Sequence, residues 1–392
     1  QGATNSNGMP RKHWQKTILV DMKLAGQNFP KGGSSSIEQN QKTTKNAFAV
    51  AGTIPVNIQI DKVYAILRDT GLVTASKVNL SAVNATNLRV AAGSAALATN
   101  GSKISAGVAG AVSFNWVEGI TGAIVENVKF GSSTENATVK PAEVTVEAQR
   151  SGDIFALAAG AAGAPKEKGI AFAGSVAINI LKNITEAKVC RLQNDSEING
   201  DLKIHAEDAS QILGNAGAIS YGGKAGVGPA FAINLILNQT NASFDNSDLI
   251  FNGKLDLSAE TDNSIIAVAG AVGASKGDAG VGGTIAVNLL LNSVQAEIAG
   301  SHAISTASPS TVIVRAENAS TIYSVGGAIG AAKKAGVGIA IAFNFIQPTV
   351  KARIIDSQLD IGDINNSATT DASALTVSAT NSGEIHSISA GG

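Results

Sequence analysis

Six asparagines recur along this chain in one local setting: Asn57, Asn115, Asn179, Asn234, Asn288 and Asn344. A carboxamide is both donor and acceptor. A stacked row of them can hydrogen-bond from copy to copy as an internal ladder, or present polar groups to a ligand. Buried amides are normally satisfied, so the ladder is the reading adopted.

The other residues with chemical potential are sparse. His13, His205, His302 and His386 share no common position in the pattern and lack metal-ligand spacing, so no metal is expected. Cys190 is the single cysteine and has no nameable base beside it, which argues against a catalytic thiol and rules out an intrachain disulfide. Gly280-Val-Gly-Gly283 lacks the Lys-Ser/Thr and strand–helix context of a phosphate loop. No calcium-binding Gly-Gly-x-Gly-x-Asp repeat occurs. No Ser/His/Asp or Cys/His set can be nominated, so the expectation is a non-enzyme without cofactors. Lysines do recur, at Pro165–Lys168, Gly222–Lys224, Lys276 and Lys333-Lys334. If the copies stack, these make a basic row along one edge. Such a row protects strand ends, or contacts anionic glycans or a cell surface.

The elements that must position these residues repeat with them. Eight residues after each Asn stands an alanine (Ala65, Ala123, Ala187, Ala242, Ala296, Ala352), and two residues later an apolar side chain. The copies are 54 to 64 residues apart, and the variation falls in the intervening loops. A fixed period of this size marks a stacked-repeat architecture. Each copy reads as four strand-length stretches bounded by turn residues. In the fifth they are residues 264–274, 280–291, 293–298 and 311–316, with a polar tip at 275–278. The first two have apolar residues on both alternating faces, one face nearly all Ala and Gly. They read as a long Ala/Gly-rich β-hairpin covered on both sides at close range. The fourth alternates, as a strand with one buried face does. Recurrent glycine and alternating β-branched residues exclude a helical reading of the Ala-rich runs.

Of the 392 residues, 29 are Lys or Arg and 30 Asp or Glu, a balance that offers no basic surplus for nucleic acid. Hydrophobic residues make up 44%, enough to bury a core. No run of about 20 apolar residues marks a transmembrane helix.

The unit Ala-Gly-Val-Gly-x-[Ala/Thr]-x-Ala-[Val/Phe]-Asn, at 279–288 and 335–344, resembles the repeats of fusobacterial leukotoxin-type filamentous adhesins, within the filamentous-haemagglutinin-like group. The resemblance covers residues 47–392. It implies an extended β-solenoid, exported and displayed on or shed from a bacterial cell. Residues 1–46 do not resemble that family's secretion domain.

The expectation is therefore an all-β, elongated, β-solenoid-like stack. Residues 1–46 form a capping or docking segment; residues 47–392 form six repeats plus the first arm of a seventh. Its role is structural, in an extracellular filament, sheath or adhesin stalk. Its partner is itself, in a head-to-tail homopolymer joined through Ile385, Ile388 and Ala390 of one subunit and Ile18 and Val20 of the next. The alternative is a module that binds glycans through Lys276, Lys333 and Lys334.

Overall fold

The computed structural model describes residues 16–19 (backbone only), 46–99, 104–131, 139–307, 309–362 and 373–392. Among them the fold is all-β, with no helix. One sheet runs in the order Lys16–Leu19, Pro55–Val73, Ile104–Phe130, Gly169–Cys190, Ala225–Asp245, Ala279–Ala299 and Ala335–Ile346. Asn46–Thr53 and Thr349–Ile355 join it beside Ile104–Phe130 and Ala279–Ala299. Apart from the antiparallel Lys16–Leu19, all its pairings are parallel and link equivalent positions of successive copies. Asn57 pairs with Asn115, Asn115 with Asn179, and so on to Asn344.

The second sheet stacks the other side of each copy in the same way. Glu143–Ala164 pairs with Asp201–Gly222 over their whole length. In the following copies that side is broken at a corner into two strands, Lys254–Thr261 and Ser264–Ser275, then Thr311–Asn318 and Thr321–Ala331, then Ala374–Asn381 and Glu384–Gly391. A small third sheet of Asp248–Phe251, His302–Ser305 and Gln358–Asp360 closes the cross-section between the other two.

Three expectations change. The arms, expected to be covered on both sides, bury one face only: outward residues such as Ile219 and Ile329 are exposed. Residues 280–291 and 293–298 are one strand, Ala279–Ala299. Asn292 does not interrupt it, because its side chain is buried and bonded across the core. At this junction the strand divides in the last copy, where proline removes the backbone donor at 348, and the first copy divides earlier, between Thr53 and Pro55. The long hairpin is also not a hairpin. Glu143–Ala164 and Gly169–Cys190 flank one tip yet lie in different sheets and face each other through side chains. The reason is backbone satisfaction. Stacking gives an arm parallel partners on both edges, whereas a hairpin would use one edge and leave the other open.

Three layers fill the interior. At the base, Val125, Val189, Phe244, Leu202 and Leu257 make a bulky aliphatic and aromatic core. A middle layer holds Ile154, Ile212, Ile236, Ile265 and Leu290. In the arms the core is almost pure alanine, such as Ala109, Ala158, Ala173, Ala218 and Ala271. Small side chains let the two sheets approach until a Cβ on Gly160 would stand 2.5 Å from the Gly174 carbonyl oxygen.

Candidate functional site: polar columns in the core

Strand alternation turns each repeated Asn inward, and parallel register places the six in one column. Asn57 Nδ2 donates to Asn115 Oδ1 at 2.9 Å. Asn115 to Asn179, Asn179 to Asn234, Asn234 to Asn288 and Asn288 to Asn344 follow, each at 2.8 Å. The four central members are buried. The opposite sheet leaves room for them with small residues. A Cβ at Gly214 would overlap the Asn234 amide, and Ser324 Oγ accepts a further bond from Asn288 Nδ2 at 3.2 Å. Each amide is spent on its neighbours, which is what a register device needs and what a ligand row lacks.

Four residues further along lies a second polar column that the sequence reading did not single out. On the first sheet it comprises Asp61, Gly119, Asn183, Asn238 and Asn292. The second sheet faces it with Asn84, Arg150, Asp208, Thr261 and Asn318. Asn292 Nδ2 donates to Ser320 Oγ at 2.9 Å and Asn318 Oδ1 at 3.2 Å. Asp208 Oδ1 accepts from Asn263 Nδ2 at 3.0 Å and Asn238 Nδ2 at 3.1 Å.

Arg150 and Asp208 are the charged members of this column that are buried, at 3% and 0% exposure. Burial lowers the Arg150 pKa, against the attraction of Asp208 and Asp61. Burial raises the Asp208 pKa, against hydrogen bonds from Ser210 and Asn263 and the charge of Arg150. The guanidinium occupies the space in front of Gly119, where a Cβ would overlap it. The signal was present in the sequence as paired exceptions: a Gly where later copies carry Asn, and an Arg where they carry Asp, Thr or Asn. It becomes visible only when both sheets are aligned.

The remaining candidates do not converge. Cys190 is buried, and desolvation raises its thiol pKa above the ordinary value, opposed by Lys188, which makes it a poor nucleophile. His205 Nδ1 lies 2.7 Å from Ser258 Oγ, and the His386 ring stacks on Tyr323 with centroids 4.8 Å apart. Among the described residues no group of three or more His, Cys, Asp or Glu could hold a metal ion. No helix there is long and apolar enough to cross a membrane.

The tips do line up. Asp278 N donates to the Lys224 carbonyl at 2.8 Å, and Ala335 N to the Asp278 carbonyl at 3.1 Å, so the turns carrying Lys224, Lys276, Lys333 and Lys334 stack in one row. The row is not purely basic. Lys334 Nζ binds Asp278 Oδ1 at 2.7 Å, which raises the Lys334 pKa and lowers that of Asp278.

Ile385, Ile388 and Ala390 all lie on Glu384–Gly391 but not on one face. Ile385 continues the inward column of Ile322, whereas Ile388 and Ala390 continue the outward columns of Val325 and Gly327. Ile18 stands opposite Val56 in the antiparallel pair. Val20, His13 and Lys42–Lys45 lie outside the described residues. Comparison with protein-family models, with characterised proteins and with solved structures gives no match to this chain.

Proposed function

We propose that this chain is a non-catalytic structural segment of an elongated β-solenoid on the exterior of a bacterial cell, within a filament, sheath or adhesin stalk. The observation that supports it most is the unbroken Asn57–Asn344 ladder inside sheets that pair copy to copy in register. A stack of this kind extends along one axis with each copy contacting its neighbours, and its length is its function. The buried polar groups serve register, and the chemical residues are dispersed. The resemblance to filamentous adhesin repeats points to the same role and to export.

The proposal includes end-to-end association. Glu384–Gly391 hydrogen-bonds to Thr321–Ala331 along one edge, and pairing of its other edge with a further chain would extend the stack by the same backbone bonds. Deleting residues 384–392 should abolish fibres of purified protein in electron micrographs. Fibres of unchanged length would refute axial pairing through this strand.

A second reading, contact with anionic glycans, is favoured by the stacked tips. Replacing Lys276, Lys333 and Lys334 with Gln should then remove binding to heparin-like polymers while thermal melting stays the same. Retained binding would exclude the tips.

A further inference from the structure

We infer that the outward face of the first sheet is a lateral docking surface for a second copy of this chain. This contact is side by side and independent of the end-to-end pairing above.

In the arms the usual distribution of side chains is inverted. Alanine and glycine fill the interior, and the large apolar residues point outward. The stretch Ile170–Ile180 sends out Ile170, Phe172, Val176, Ile178 and Ile180, and the later strands repeat the pattern. Phe172 is 43% exposed and Phe343 is 53% exposed. No Lys, Arg, Asp or Glu stands on this part of the outward face in any of the six copies.

Size argues for a protein partner. Eleven residues at about 3.3 Å each span roughly 36 Å, and six strands about 4.8 Å apart cover roughly 29 Å. That gives on the order of 1,000 Å² per copy, above the few hundred Å² a monomer normally exposes and close to the roughly 800 Å² per partner of a stable interface.

Two features select a second copy over other partners. The rows of side chains repeat at the strand spacing, and a second copy carries rows of the same spacing, so the two faces can mesh over their whole length. Both charge signs stand on the border of each copy, as self-association needs: Lys182 Nζ binds Glu118 Oε1 at 3.2 Å below the face, and at the lysine-rich tips Lys334 binds Asp278.

Glycines on both outer faces allow a test that spares the core. A Cβ at Gly110 or Gly283, on the first sheet's outward face, meets nothing within 4 Å, and the same holds for Gly270 on the outward face of the second sheet. Sedimentation velocity of the full chain over a concentration series reads the assembly. All variants are made in the full chain, so that any axial association is common to them and the face substitutions report the lateral contact. The unsubstituted chain should sediment as a dimer or larger. G110K/G283K should weaken the association at least about tenfold, because like charges would be buried opposite each other. G270K should leave it unchanged, and circular dichroism and Tm should match in all three. A monomeric unsubstituted chain at micromolar concentrations overturns the proposal, as does a G110K/G283K variant that is folded and assembles as before. Flotation of a monomeric unsubstituted chain with phosphatidylcholine vesicles would assign the face to lipid instead, which also overturns it.

Discussion

The guanidinium of Arg150 occupies the space that a side chain at Gly119 would need. The two residues lie on opposite sheets, and each is explained by the other. Later copies place Asn183, Asn238 and Asn292 at the Gly119 position, and Asp208, Thr261 and Asn318 at the Arg150 position. One copy exchanges a pair of short polar groups for one long cation and a vacancy.

Gly119→Asn should therefore destabilise the protein by about 1–3 kcal/mol through overpacking against Arg150. Combining it with Arg150→Asn recreates the Asn–Asn contact of 292 and 318, and the double variant should recover most of that loss. Urea unfolding of the two single variants and the double variant measures the coupling. Additive losses would mean that the two sites do not share space.

Removing one charge from the buried cluster should cost more than removing the pair. Arg150→Met removes the positive charge that attracts the enclosed Asp208 carboxylate without bonding to it, with an expected loss of about 1–3 kcal/mol. Arg150→Met combined with Asp208→Asn should lose much less. Chemical denaturation at neutral pH compares them.

Asp208 also sets a pH dependence. Its pKa is raised on folding, so the native state binds the proton more tightly than the unfolded chain does. Stability is then highest where both states are protonated, and falls as pH rises from the ordinary aspartate value of about 3.9 toward the folded value. Asp208→Asn keeps the oxygen that Asn238 and Asn263 bond, so its stability should lack this decline. Melting curves from pH 3.5 to 7 test it. Identical slopes in parent and variant would show that Asp208 does not titrate across folding.

Interrupting the ladder should strand two partners at once. Asn234→Ala leaves Asn179 Nδ2 without its acceptor and Asn288 Oδ1 without its donor, both buried. At about 1–3 kcal/mol per orphaned group, the expected loss is roughly 2–6 kcal/mol. Asn57→Ala, at the end of the row, orphans one group only and should cost about half as much. Equal losses at the two positions would argue that the amides act independently.

Glycines that look alike in sequence should separate by face. Gly160→Val drives a side chain against the Gly174 backbone in the other sheet and should cost more than about 2 kcal/mol. Gly270→Ala fills open space outside the sheet and should stay within about 0.5 kcal/mol of the parent. Thermal melts of the two variants read the spacing of the sheets directly.

The amino-acid sequence by itself determined the strand chemistry and the periodicity. The constant step from Asn57 to Ala65, repeated through Asn344 and Ala352, specifies which residues share a column, because side-chain alternation fixes their face. The Ala/Gly arms announced a thin interior for the same reason. Tertiary structure alone decided which edges pair. Arms joined by a short tip satisfy a local hairpin pattern equally well, and only the satisfaction of both backbone edges by neighbouring copies turns them into opposed sheets. It also decided what faces what across the core. Gly119, Arg150 and Asp208 lie in separate stretches with unremarkable surroundings, and their relation exists only once two sheets meet. It decided, too, that only one face of the arms is covered, where the apolar pattern on both faces led to the expectation that both would be. Both alternating faces of the arms are apolar, so composition could not choose, and packing chose the smaller side chains because they let the sheets close.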